Sequence, residues 1–514
     1  MADYNYQQTL HKIKEYGVVE EVNPPIIICS GLPGAMTGEI VVFENEEVGQ
    51  VMSLLRDKVE IIIFTQNDIQ PGIQVTRTGE KLQVPVGKEY LGHTIDPLGN
   101  YLFTAKGTKV PSTKRGIEVQ PLKLMQRRRI TRQLITGVTL IDTILPLGKG
   151  QRELIVGDRK TGKTSAVLTT LKSQHNLGDI IIYAIIGKKK EEIKRVVNYL
   201  KTNKLDNNTV VVASSSQDSP SLIELTPYSA MSLAEYFREQ GNDVVVIFDD
   251  LSTHAKFYRE ISLIAKRFPG RESFPGDIFY KHAKLLERGG HFVTKGDKEN
   301  SITCLPLAET IQGNLTDFIV SNLISITDGH ILFDSETFNK GRRPAVNIFL
   351  SVTRVGKQTQ SRLSRSINQE IMSFLIRYEK ALEFSHFGAE LSEEVKKTIA
   401  KGNKIYSLFE QSYQEVIPLE IQEIGVGLVW SGLFDEVTTG EVDDKRRVLV
   451  TKYEEKEFKN LVQKALTVET LKELTNNILA EKDTFTKMLG LKGAGIPKVT
   501  EEVVGNKVES LDKT

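Results

Sequence analysis

Residues Gly157-Asp-Arg-Lys-Thr-Gly-Lys-Thr164 hold the spacing G-x-x-x-x-G-K-[ST] in full. The chemistry of that pattern is phosphate binding. Backbone N–H groups of the loop wrap phosphate oxygens, a lysine lays its ammonium on the β- and γ-phosphates, and the next hydroxyl ligands Mg²⁺. Lys163 and Thr164 take the last two roles, with Gly157, Asp158, Arg159, Lys160, Thr161 and Gly162 as the cradle. The shell of the ion also needs an acid at the end of a buried strand. Asp249 follows the apolar run Val244–Phe248 and meets that need. Alone it would read equally well as a turn former or helix cap; beside a phosphate loop on the same sheet it reads as a metal-side carboxylate.

Hydrolysis requires one more group, a carboxylate or amide that positions the attacking water. The apolar run Ile180–Ile186 leads into Gly187-Lys-Lys-Lys-Glu-Glu192 and offers Lys188 at that place. An ammonium cannot accept the water's proton. Glu191 and Glu192 follow closely but read as the solvated start of a charged helix.

These side chains must be carried by a strand–loop–helix unit, and the sequence supplies one. Glu153–Val156 is apolar before the loop and Ser165-Ala-Val-Leu-Thr-Thr is helical after it. From residue 91 to 360 such runs alternate with helical stretches: Thr209–Ala213, Val244–Phe248 and Ile302–Leu305 read as further strands, and Thr226–Gln240 as a helix with Pro227 in its first turn. That alternation predicts a mostly parallel sheet flanked by helices. Residues 16–90 differ. Short apolar runs (Ile26–Cys29, Glu39–Phe43, Val59–Phe64, Gln74–Arg77) are broken by Gly31-Leu-Pro-Gly34, Pro71-Gly72 and Thr78-Gly79, the pattern of a small β-barrel or sandwich. From 361 to 491 strand signals fade, and Ile367–Phe387, Glu393–Phe409 and Phe458–Leu489 read as helices. Residues 1–15 read as a short arm and 492–514 as a loose polar tail.

Composition agrees with a multidomain globular chain. At 514 residues the protein exceeds what one hydrophobic core supports. Lys+Arg 67 against Asp+Glu 66 leaves a net charge of +1, so no bulk field draws it to nucleic acid. Cys29 and Cys304 lie far apart in apolar runs and read as buried reduced thiols, and the histidines have no metal-ligand spacing. Arg127-Arg-Arg129 reads as a solvated or subunit-facing run. The N-terminus has neither a basic nor an apolar leader region. The longest apolar runs fall far short of the about 20 residues that span a bilayer, so the expected location is cytoplasmic or peripheral to the inner face of the cell membrane.

Longer stretches carry a resemblance. Val84–Gly87, Gly148–Thr164, Asp249–Ser252, Phe268–Asp277, Leu285–Arg288, Ser325–Gly329, Arg343–Asn347, Ser351–Gly356 and Phe384–Gly388 are similar to the alpha subunit of the F-type rotary ATPase, from about Tyr16 to about Leu489. Asp158-Arg159 in the loop and Asp249-Asp-Leu-Ser252 resemble alpha rather than the catalytic beta subunit. The resemblance implies an N-terminal β-barrel, a central RecA-like α/β domain and a C-terminal helical domain. It further implies a largely non-catalytic subunit that binds ATP or ADP with Mg²⁺ and alternates with a beta-type partner in a hetero-hexameric ring around a gamma-type shaft. Arg354 matches the arginine that alpha lends to its neighbour's catalytic site, with Thr353 in place of the usual serine. Arg343 and Pro344 match contacts near the adenine of alpha's own nucleotide, and Gln411 and Gln414 the adenine-loop glutamines. Lys188 departs from the family: beta carries glutamate there and alpha usually glutamine.

Two other readings compete. A homohexameric export or helicase-type ATPase shares this core but needs the water-positioning group that Lys188 replaces. A structural subunit whose ATP only stabilises assembly would leave Arg354 idle. The brevity of residues 1–15, compared with the stalk-docking segment of alpha subunits, gives the expectation of a specialised hydrolytic motor rather than an ordinary proton-translocating synthase.

Overall fold

The computed structural model describes residues 4–65, 69–103, 108–293, 298–386, 392–412 and 415–491. The tail expected over 492–514 lies outside the described residues. The chain divides into two units, Met1–Asn368 with Phe409–Leu419, and Gln369–Leu408 with Glu420–Thr514.

The first unit opens with a closed antiparallel barrel in the order Tyr16–Asn23, Ile26–Ser30, Val59–Ile63, Val48–Leu54, Glu39–Phe43, Gln74–Lys81. Side chains two apart along each strand share a face, so Ile27 and Cys29, Val41 and Phe43, and Ile61 and Ile63 all point into one apolar core. Val48–Leu54 escaped the sequence reading because Gly49, Gln50 and Ser53 interrupt its apolar run. The expected arm is instead a helix, Tyr6–Ile13, with Asn5 accepting from the Gln8 N–H at its start. Tyr6, Leu10 and Ile13 share its less exposed face, and polar anchors add to them. Tyr6 is buried and donates to Gln74 at 2.8 Å, and Glu15 pairs with Arg77 at 2.8 Å.

Beyond the barrel, the described residues form a ten-stranded sheet. Its path runs Val352–Thr353, Gly329–Phe333, Glu153–Gly157, Glu299–Glu309, Val244–Asp249, Ile180–Lys188, Thr209–Ser215, Thr94–Ile95, Tyr101–Leu102, with Gly290–Val293 paired to Glu299–Glu309. The five long inner strands are parallel to their neighbours, as burial on both faces and helical crossovers require. The helix expected from Thr226 starts earlier, at Pro220, with the Ser219 hydroxyl as its cap and Pro220 in the first turn. Pro227 therefore lies inside a helix, where its missing N–H forfeits one backbone bond. In the run read as solvated or subunit-facing, Arg128 and Arg129 are exposed, while Arg127 is half-buried: its guanidinium stacks 5.2 Å from the Phe292 ring centroid and donates to the carbonyls of Gly289 and Glu287. Cys29 and Cys304 are buried free thiols.

The second unit is helical. The single helix expected over Phe458–Leu489 is three, Lys456–Ala465, Leu471–Ala480 and Lys482–Leu489. Thr470 and Glu473 form a reciprocal cap that restarts the chain at Leu471. Leu419–Trp430 and Thr439–Lys452 are also helices. Leu419–Trp430 is buried on nearly every side, so it has no amphipathic period to read. No described helix is long and apolar enough to cross a membrane.

Candidate functional site

The phosphate loop leaves its strand at Gly157, whose φ of 152° and close approach to the Phe333 carbonyl exclude any side chain. Gly162, at φ 103°, ends the loop and leads into the helix Lys163–Asn176. The first N–H groups of that helix are free of intrahelical partners and face an anion with the positive end of the helix dipole. Lys163 is buried, and its ammonium donates to the carbonyls of Gly157 at 2.6 Å and Asp158 at 2.7 Å. These bonds clasp the loop and use two of the three donors an ammonium has. Burial is the main force lowering the pKa of Lys163, and Lys188 adds to it, against the pull of Glu309, Asp250 and Asp249.

Asp158 and Arg159, both expected in the cradle, bond to protein. The Asp158 carboxylate accepts from Thr310 at 2.6 Å, the Gly313 N–H at 2.9 Å and Ser335 at 2.8 Å, so it braces the loop from behind. Arg159 pairs with Glu309 at 2.8 Å on an exposed side chain. Thr161 closes the turn by donating to the Asp158 carbonyl.

Thr164 stands exposed in the first turn of the helix. Asp249 ends its strand where the sequence put it. One of its oxygens accepts from the buried Tyr183 hydroxyl at 3.1 Å, and the other lies 3.4 Å from the Lys188 ammonium. Asp250 caps the helix Leu251–Ile264, accepting from the Ser252 N–H at 2.7 Å and the Thr253 hydroxyl at 2.9 Å. The donors about Thr164 and Asp249 are hard oxygens that suit Mg²⁺. Among the described residues no cluster of His, Cys, Asp or Glu could hold a metal unaided. An ion here would draw the rest of its shell from phosphate oxygens and water.

Beside the loop lies a cavity of about 390 Å³, lined in part by Gly162, Ser165, Phe338, Arg343, Pro344 and Gln411. The loop, Arg343, Pro344 and Gln411 are thus brought together from distant parts of the sequence; Gln414 lies outside the described residues. Arg343 stacks 3.5 Å from the Phe338 ring centroid and donates to the Phe338 carbonyl at 2.8 Å. Phe338 escaped the sequence reading, since an aromatic in a short helix carries no spacing signal. The Gln411 amide is fully engaged. Its oxygen accepts from the Thr139 N–H at 3.0 Å and hydroxyl at 3.3 Å, and its nitrogen donates to Gly137 at 2.6 Å and Glu415 at 2.7 Å.

Arg354 is not part of this cavity. Val352–Thr353 pairs with the start of Gly329–Phe333, and Glu153–Gly157 runs parallel to that strand, with Glu153 beside Gly329 and Gly157 beside Phe333. Arg354 therefore lies at the end of the sheet away from the loop, roughly 13 Å along a five-residue strand. It is exposed and donates only weakly, at 3.4 Å, to the Thr327 carbonyl. Its loop is rigid: Gly356 packs against the Pro146 carbonyl, Thr353 donates to that same carbonyl at 3.0 Å, and Arg152 grips Asp328 at 2.7 and 3.1 Å.

Comparison with known sequences agrees with this geometry. The ATP synthase alpha/beta family, nucleotide-binding domain, matches residues 137–353, and the ATP synthase alpha/beta chain, C terminal domain, matches residues 360–484. ATP synthase subunit alpha of Dictyoglomus turgidum is 40% identical over 84% of this chain and 87% of its own length. The chain belongs to the ATP synthase alpha/beta family. Further ATP synthase alpha relatives include that of Neorickettsia sennetsu, 39% identical over 82% of this chain and 85% of its own. Subunit alpha 2 of Syntrophus aciditrophicus is 38% identical over 83% and 82%. As a member of the ATP synthase alpha/beta family the chain carries a nucleotide-binding domain, and the phosphate loop lies within the matched residues.

Proposed function

We propose that this chain is the non-catalytic alpha-type subunit of an F-type rotary ATPase ring, organised as a barrel over 16–90, a nucleotide domain over 91–360 and a helical domain over 361–491. It holds ATP or ADP at Gly157–Thr164, with the base against Phe338, Arg343 and Pro344. Thr164 and Asp249 would hold Mg²⁺, which when bound spreads and neutralises phosphate charge. Arg354 serves the neighbouring beta-type subunit, where its guanidinium reaches the charge on the transferring phosphoryl oxygens. A gamma-type shaft would occupy the ring, and the membrane is reached only through the complex. The observation that supports this reading most is the position of Arg354: exposed, rigidly based and at the opposite end of the strand from its own phosphate loop. An arginine so placed cannot serve its own phosphate loop and fits a site supplied by a neighbour.

The test is reconstitution with the beta-type partner. Arg354→Ala should lower ATP turnover by about 10³–10⁵-fold while the ring still assembles. Lys163→Ala should abolish nucleotide binding by the pure chain. A ring with Arg354→Ala that keeps near-normal turnover, or phosphate release by the pure wild-type chain, would overturn the assignment.

A further inference from the structure

Lys188 stands where neither the phosphate loop nor the family pattern accounts for it. It ends the strand Ile180–Lys188 after a break in register that begins at Ile185. Gly187 turns the chain there with φ 60°, and a Cβ on it would meet Phe257, Ile223 and Thr253 at 2.8–3.2 Å. The Lys188 carbonyl accepts from the Ser216 N–H at 2.9 Å, so the base of the side chain is fixed. Its side chain is only 20% exposed, and the ammonium lies 3.4 Å from an oxygen of Asp249. Asp250, Glu309 and Lys163 also act on this cluster electrostatically. A lysine is ordinarily a cation at neutral pH, and here its ammonium sits against a carboxylate.

We propose that Lys188 is a resident cation of the nucleotide-phosphate site, supplying part of the neutralisation that Mg²⁺ would otherwise supply, so that nucleoside triphosphate binds this chain with only weak dependence on a divalent ion. The inference rests on reading Gly157–Thr164 as a nucleotide site. Without Lys188, two cations, Lys163 and Arg159 (the latter already paired with Glu309), would face the carboxylates of Asp249, Asp250 and Glu309, leaving a net negative cluster that repels a tetra-anionic nucleotide until Mg²⁺ screens it. With Lys188, three cations balance the three carboxylates. The same ammonium lies against Asp249, a carboxylate that would help to hold the ion, so lysine and ion would share that carboxylate instead of both exploiting it. The four-carbon stem of lysine also lets the charge follow a phosphate oxygen, which a neutral glutamine at this position cannot do.

Equilibrium binding of N-methylanthraniloyl-ATP to the full chain, read by fluorescence in excess Mg²⁺ and in excess EDTA, tests this without measuring turnover. The wild type should weaken by less than about tenfold on removal of Mg²⁺. Lys188→Gln should enlarge that ratio by about tenfold or more, through weaker binding in EDTA; one unit charge at contact distance gives about that much even in a water-like dielectric. Lys188→Arg should keep the wild-type ratio. A wild-type ratio in the hundreds, or equal ratios in the wild type and Lys188→Gln, would overturn the proposal, and the wild-type ratio decides by itself if the glutamine variant fails to fold. No binding by the wild type in either buffer, or undiminished binding by Lys163→Ala, would instead sink the nucleotide-site reading and this inference with it.

Discussion

Gln411→Ala separates a residue that reads the base from one that builds the wall. The helix Thr139–Ile144 has Val138 at its N-cap, which offers no side-chain acceptor, and the Gln411 amide oxygen takes over by accepting from the Thr139 N–H at 3.0 Å. The amide nitrogen bridges the carbonyls of Gly137 and Glu415, and the Gln411 N–H donates to the Arg343 carbonyl at 2.8 Å. Alanine keeps the backbone bond and removes the rest. Loss of a helix cap costs about 0.5–2 kcal/mol, and a buried polar group deprived of a partner costs about 1–3 kcal/mol. The Gly137 carbonyl still accepts from the Ile417 N–H at 3.1 Å, so that loss is shared. Water entering from the adjoining cavity relieves part of the remainder, leaving about 1–4 kcal/mol. Peptide-resolved hydrogen exchange on nucleotide-free protein should show the opening free energy of Thr139–Ile144 falling by that amount. ATP affinity should fall as a consequence. Unchanged exchange without nucleotide, together with a selective loss of ATP affinity, would show that Gln411 contacts the base and that the wall stands without it.

Two further outcomes follow from geometry elsewhere in the first unit. His254 and His282 are buried and 3.0 Å apart; burial depresses His254 to about 3 and His282 well below its ordinary value. The unfolded chain gains both protons as pH falls through about 6.5 while the folded chain does not, so stability is full above that pH and drains below it. Between pH 7.5 and 5.5 the loss should be about 2.7 kcal/mol in the opening of Leu251–Ile264 and Ile278–Leu286, and it should vanish in His254→Gln/His282→Gln. A pH-independent opening, corrected for intrinsic exchange, is the contrary result. Gly157→Ala should strain the loop by about 1–3 kcal/mol and weaken nucleotide binding at least about tenfold, because its Cβ would collide with the Phe333 carbonyl; equal affinity in a nucleotide titration would show that the strand beneath can yield.

Local sequence was sufficient wherever one segment does one job. The phosphate loop was legible because glycine at 157 and 162, lysine at 163 and a flanking strand and helix lie within a single unit. The barrel and the parallel sheet were legible as periods of two and as unbroken apolar runs between helices. Elements with a weak or short pattern were lost: Leu419–Trp430 is buried on nearly every side, and Tyr6–Ile13 spans only eight residues. The roles of individual site residues depended on partners far away in the chain. Asp158 and Arg159 sit inside the motif, yet Thr310, Gly313, Ser335 and Glu309 decide that they brace the loop. Gln411 resembles a base reader in sequence, and in space its amide is also tied to the 137–139 segment, which lies against it. Lys188 reads as a missing carboxylate, and only the neighbouring strand, which ends at Asp249, makes it a cation already paired with a carboxylate. Sequence determines which chemical groups a segment carries. Which of those groups remain available after their hydrogen bonds and charges are satisfied is decided by the sheet that brings distant strand ends together.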